Sequence, residues 1–272
     1  KQTNVWGITM PIGEFQSKAD ACVYTKIVTI KKDGGDFSNF KDCFNNINPN
    51  KLNKYVVEVY EGTYDLRNDF TETEWSDKSN NFKGLMVPDY THIIGIGDRN
   101  KIVIELSSDD NRDYVSTLNL QGTATIENLT IKGTKLRYVI HDDFSSIDGT
   151  PCERLVKDCD IIGSNLTLGC VYGSAVRNGS KWIFENVNFI IGDSGGFGFR
   201  NHNWDGFIDS ATIKFINCRV GKLRLSTLSN NANNINTYVY LYGNKVTQLL
   251  LDEENANLYG KGCLYKVSGF GN

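Results

Sequence analysis

Three phrases end a strand-like run in polar side chains: Tyr138-Val-Ile140-His141-Asp142-Asp143, Ser174-Ala-Val176-Arg177-Asn178-Gly179 and Gly198-Phe199-Arg200-Asn201-His202. Alternate side chains of a strand point to opposite faces. With Ile140, Val176 and Phe199 inward, His141, Arg177 and Arg200 point outward, and Asp143 and His202 take the next outward place. Leu223-Arg224-Leu225 extends the row with Arg224. An imidazole exchanges protons near neutral pH, and an arginine fork suits carboxylate or phosphate. Asp142, Asp143, Asp193 and Asp205 are the nearest carboxylates; Trp204, Phe207 and Tyr172 offer flat surfaces for sugar rings. This is the equipment of a groove for an anionic glycan. His202, His141, Asp143, Asp142 and Asp205 are its candidate catalytic groups, and Arg200, Arg177, Arg224, Trp204 and Tyr172 its candidate substrate-binding groups. The same polar residues equally suit a solvated surface, and Asn201-His202-Asn203-Trp204 equally suits the tying down of a turn. His92 lies in an apolar run and reads as structural.

The elements that must position these groups repeat. Ile126-Glu-Asn128-Leu129-Thr-Ile131 is answered by Val156-Lys-Asp158-Cys159-Asp-Ile161, then by Phe184-Glu-Asn186-Val187-Asn-Phe189 and Phe215-Ile-Asn217-Cys218-Arg-Val220. A blurred copy surrounds Tyr242-Gly243-Asn244. A period near 30 residues marks a repeat architecture. Each copy is β-alternating and broken by Asn and Gly, so the repeats are strands stacked about 4.8 Å apart. Asn128, Asn186 and Asn217 read as bend residues whose side chains form a ladder along the stack. The fullest copy is Phe184–Asp205, where the Gly192–Gly196 bend joins two alternating runs.

Upstream, Ile27–Ile30 is a short strand and Asp33-Gly34-Gly35-Asp36 a turn. Phe37, Phe40, Phe44 and Ile47 are spaced three, four and three apart, one face of a helix. Asp36 is its expected N-cap, and Asn48-Pro49 its stop. Such a helix would cover the open end of the strand stack. Tyr55–Tyr60, Gly84–Gly97 and Lys101–Leu106 are strands, and Phe70–Lys83 is a loop over one face. Residues 1–24 read as a lead-in or linker, and 25–272 as one domain. A chain that begins at Lys1 without Met reads as an excised piece of a longer polypeptide.

Composition sets limits. A net charge of -3, with 29 basic against 32 acidic residues, lacks the basic field of a nucleic-acid binder. No apolar run reaches the length of about 18 residues expected of a membrane-spanning helix. The seven cysteines lack CxxC pairs and read as buried thiols rather than a metal site or disulfide framework. No metal and no cofactor are expected.

The stretch Asp33-Gly-Gly-Asp-Phe-Ser-Asn-Phe-Lys-Asp-Cys-Phe-Asn-Asn-Ile47, with Tyr55–Leu66, resembles the N-terminal rungs of pectin-lyase-like proteins. That resemblance implies an all-β, right-handed parallel β-helix (β-solenoid) with an N-terminal capping helix. It does not carry an activity. The Gln-Asp and Asp-Phe-Ile-Phe-Gly motifs of pectin methylesterases are absent. So are the Asn-Thr-Asp, Gly-Asp-Asp and Gly-His-Gly motifs of polygalacturonases and the calcium-binding aspartates of pectate lyases. From Ile27 to Val220 the chain more closely resembles phage tailspike and pre-neck appendage domains. The resemblance implies a virion or extracellular location, a homotrimer, and a cell-surface polysaccharide such as wall teichoic acid as partner, bound and in a catalytic version cleaved. Two alternatives stay open: a non-catalytic receptor-binding or structural virion module, and a secreted bacterial polysaccharide lyase or hydrolase.

Overall fold

The structure, a computed structural model, describes residues 2–3, 9–10, 24–77, 82–142, 150–165, 169–174, 180–192, 196–202, 210–225, 236–251 and 264–267. The chain winds as a right-handed parallel β-helix. Among the described residues one sheet has nine strands, in the order Leu264–Val267, Asn236–Tyr242, Ser210–Ile216, Ser180–Glu185, Glu153–Lys157, Ala124–Glu127, Thr91–Ile96, Asn53–Tyr60 and Tyr24–Ile30. The order follows the sequence because each turn of the helix lays one strand on the last, and every pairing between them is parallel. The second sheet has ten strands among the described residues, and some turns place two successive strands in it, as Asp160–Ser164 and Gly169–Ser174 do.

The bend between the sheets explains the repeat. Asn128, Asp158, Asn186 and Asn217 have φ of 54°, 52°, 53° and 54°, and Gly243 has 62°. Asparagine and aspartate tolerate this left-handed conformation better than most side chains, and glycine adopts it freely. The spacing is 30, 28, 31 and 26 residues (158−128, 186−158, 217−186, 243−217). One rung of the expected ladder is present: the Asn186 amide donates to Asp158 at 2.9 Å, whereas Asn128 donates to the carbonyls of Gly95 and Gly97. In the last copy the bend residue is Gly243, one before the expected Asn244. Asn244 instead turns inward, into the slot that Leu129, Cys159, Val187 and Cys218 fill in the other turns. There it accepts from the Cys218 amide and donates to the Phe215 carbonyl, both at 2.8 Å.

Inward side chains of successive turns stack. Phe184 and Phe215 are register partners whose rings lie 5.0 Å apart and nearly parallel. Phe199 meets both edge-on at 5.4 and 5.3 Å. All three are fully buried. Cys159 and Cys218 fill apolar slots as expected, and all five described cysteines are buried.

The capping helix spans Phe40–Asn46 and buries Phe40, Cys43 and Phe44 against the N-terminal end of the core. Its N-cap is Asn39, whose side chain accepts from the Asp42 amide, and not Asp36. Asp36 is held elsewhere, accepting from both the amide and the hydroxyl of Thr29. That contact sets up a bridge between Phe37 and Ile30 and keeps Phe37 out of the helix. The expected loop after Phe70 contains a second short helix, Glu72–Ser76, started by a capping box between Thr71 and Glu74. It is pinned to the barrel by Arg112, which donates to the carbonyls of Trp75 and Asp77 and lies over the Trp75 ring.

Candidate functional site

Strand register assembles the site. In the second sheet His141 pairs with Asn119 on one side and Tyr172 on the other, Tyr172 with Arg200, and Arg200 with Arg224. Four consecutive turns thus contribute one column of His, Tyr, Arg and Arg. Three steps between turns make it about 14 Å long. On the N-terminal side the column continues through Asn119 to Met86. Met86 lines a pocket of about 250 Å³ with Lys41, Phe44, Phe70, Glu74 and Lys83. Ile140 and Phe199, which precede His141 and Arg200, are fully buried as the alternation requires.

The column differs from the expected one at the second turn. Tyr172, and not Arg177, stands between His141 and Arg200. The strand described there is Gly169–Ser174, and Val176 lies outside the described residues. Arg177 lies outside the described residues, as do Asp143, Asp193, Trp204, Asp205 and Phe207. His202 lies in strand Phe197–His202, opposite Ser174 and two places beyond Arg200.

Two groups sit deeper than expected. His141 is only 7% exposed, its ring stacked on Tyr138 at 4.9 Å with an interplanar angle of 18°. Asp142 is not at the margin of the groove at all. Its carboxylate is fully buried, 3.2 Å from the equally buried Arg154 guanidinium, and accepts from the Trp182 indole N–H. A carboxylate buried this way needs a partner, and Arg154 supplies the opposite charge. His92 differs in the opposite sense. It points outward on the first sheet, with Nε2 3.2 Å from Glu127, whose other oxygen is 3.1 Å from the Lys157 ammonium. Glu127 also holds the Lys157 pKa above its ordinary value.

Burial pushes the thiols of Cys43, Cys159 and Cys170 up to about 12, and that of Cys218 to about 11. None of these four is a nucleophile at neutral pH. Among the described residues no group of three or more His, Cys, Asp or Glu could hold a metal.

Sequence reasoning missed an adjoining cluster. Tyr114 is 44% exposed. Arg137 lies over its ring at 5.0 Å and over Tyr138 at 5.2 Å, and the Lys83 ammonium is 5.7 Å from the Tyr114 centroid. The signal was faint, because Tyr114 follows a run of aspartates with no alternation.

No family model matches the chain, and no curated protein matches it. Among solved structures it is similar to a pectin methylesterase from Erwinia chrysanthemi, at 14% identity and a TM-score of 0.42, over 81% of this chain and 67% of that one. It is also similar to a pectin methylesterase from Aspergillus niger, at 10% identity and a TM-score of 0.39, over 100% of this chain and 93% of the other. The fold assignment rests on the strand register above.

Proposed function

We propose that this protein binds and depolymerises an anionic cell-surface polysaccharide of the teichoic-acid type along the column of His141, Tyr172, Arg200 and Arg224, as a domain of a phage tail appendage or tailspike. One observation carries the reading: parallel register sets these four residues on consecutive turns. Stacked strands repeat at about 4.8 Å, so successive arginines suit successive charges on an extended polymer. In this reading the protein works outside the cell or on the virion, as a homotrimer, without a cofactor. In the cleavage step His202 or His141 protonates the leaving oxygen while Asp143 or Asp205 takes the proton from the attacking water.

A second reading is binding without turnover. It is favoured by Asp142, whose pairing with Arg154 removes one candidate carboxylate from the groove. Incubation with wall teichoic acid and with polygalacturonate separates the two, by following polymer size and bound polymer together. Shortened product supports cleavage. Bound but intact polymer supports the second reading, and neither binding nor cleavage overturns both.

A further inference from the structure

We propose that Arg137 receives the acidic group of an anionic sugar unit, with the exposed ring of Tyr114 as its stacking platform, forming a subsite beside the column. The ligand class rests on the glycan reading above; the location does not. Arg137 is held by aromatic faces: its guanidinium carbon lies 5.0 Å from the Tyr114 centroid and 5.2 Å from that of Tyr138. Both distances are within cation–π range. Among the described residues no carboxylate or carbonyl accepts from it. Its fork of N–H donors is therefore oriented by rings while its hydrogen-bonding edge is left for an oxyanion.

The surroundings match that ligand. Tyr114 presents a half-open ring, and the Lys83 ammonium, 5.7 Å from it, adds a second positive charge. Tyr138 stacks in turn on His141, the first member of the column. Arg137 lies four residues before His141 in the same strand, Thr130–His141, about 13 Å along it. The cluster therefore lies to the side of the column, along the strand, and not on its N-terminal continuation through Asn119 and Met86. A guanidinium fork engages carboxylate or phosphate through two parallel bonds, which an ammonium, a point charge, does not reproduce. The nature of the acid is therefore read from which of two polymers, one a polycarboxylate and one a polyphosphate, loses affinity when Arg137 is removed.

The test is binding of polygalacturonate and of wall teichoic acid by calorimetry, with the wild type and the variants Arg137→Ala, Arg137→Lys, Tyr114→Ala and Arg200→Ala. Thermal melts show that each variant is folded. The expected result is a loss of about tenfold for Arg137→Ala and a smaller loss for Tyr114→Ala, on at least one polymer, with melting unchanged. Arg137→Lys, which keeps the charge without the fork, should recover only part of the loss. Unchanged affinity in folded Arg137→Ala, with affinity lost in Arg200→Ala, overturns the subsite and leaves the column standing. Loss in Arg137→Ala with none in Arg200→Ala keeps the subsite and removes the column. Absence of wild-type binding to either polymer overturns both.

Discussion

Asp142 and Arg154 form an ion pair at 3.2 Å with both side chains fully buried. The pair lies immediately after His141 and beneath Trp182, whose indole donates to the same carboxylate. Removing one partner strands a charge in the core. Asp142→Ala should therefore cost about 3–5 kcal/mol of stability, read as a lower midpoint in urea. Loss of function without loss of stability would return Asp142 to the groove.

The aromatic stack makes a second prediction. Phe184 touches Phe215, Phe199, Phe189 and Trp182. Phe184→Ala should cost about 3–5 kcal/mol, because neighbours from separate turns cannot all collapse into the cavity. A urea midpoint within error of wild type would show that the stack does not hold the turns together.

Position 186 tests the bend. Asn186 stands at φ 53° and donates to Asp158. A branched residue in this conformation costs about 1–2 kcal/mol, so Asn186→Val should be destabilising by at least that much. Asn186→Gly should lose only the ladder bond. Equal melting of the two variants would contradict the argument from backbone conformation.

Acidification should loosen the short helix Glu72–Ser76. Hydrogen bonding from the Lys41 ammonium, then from Thr71, holds the Glu74 carboxyl below its ordinary value of 4.5. A carboxyl with a lowered folded pKa contributes its full stabilisation above the unfolded value and loses it as pH falls through the folded one. Tryptophan fluorescence followed downward from pH 5 should show a step, since Trp75 is on this helix. The step should be missing in Glu74→Gln; its persistence there would assign it to another group.

Much of the winding could be read from the chain because its cause is local. Left-handed bends require Asn, Asp or Gly, and those residues recur between apolar alternations. The last bend was misplaced by one residue because Asn244 has the right chemistry for a bend but satisfies buried backbone groups instead. The candidate column was partly legible for the same reason: alternation identified His141, Arg200 and Arg224. It failed at Tyr172 because Cys170-Val171-Tyr172 and Ala175-Val176-Arg177 both read as apolar, apolar, polar. Hydrogen bonding to the neighbouring turns, which no local pattern contains, sets Tyr172 in register with His141 and Arg200. Asp142 was misread because its partner Arg154 belongs to the next turn. The Tyr114 and Arg137 cluster was missed because it spans two strands joined out of step, with register shifts between Thr134 and Tyr138.

The most direct measurement is the affinity of the folded Arg200→Ala, Arg224→Ala double variant for wall teichoic acid, beside the wild type, at low and at high salt. The account predicts wild-type binding that weakens with salt, as charge pairing requires, and a loss of at least tenfold in the double variant. Wild-type affinity retained by the double variant would contradict the claim that the column is where an anionic polymer binds.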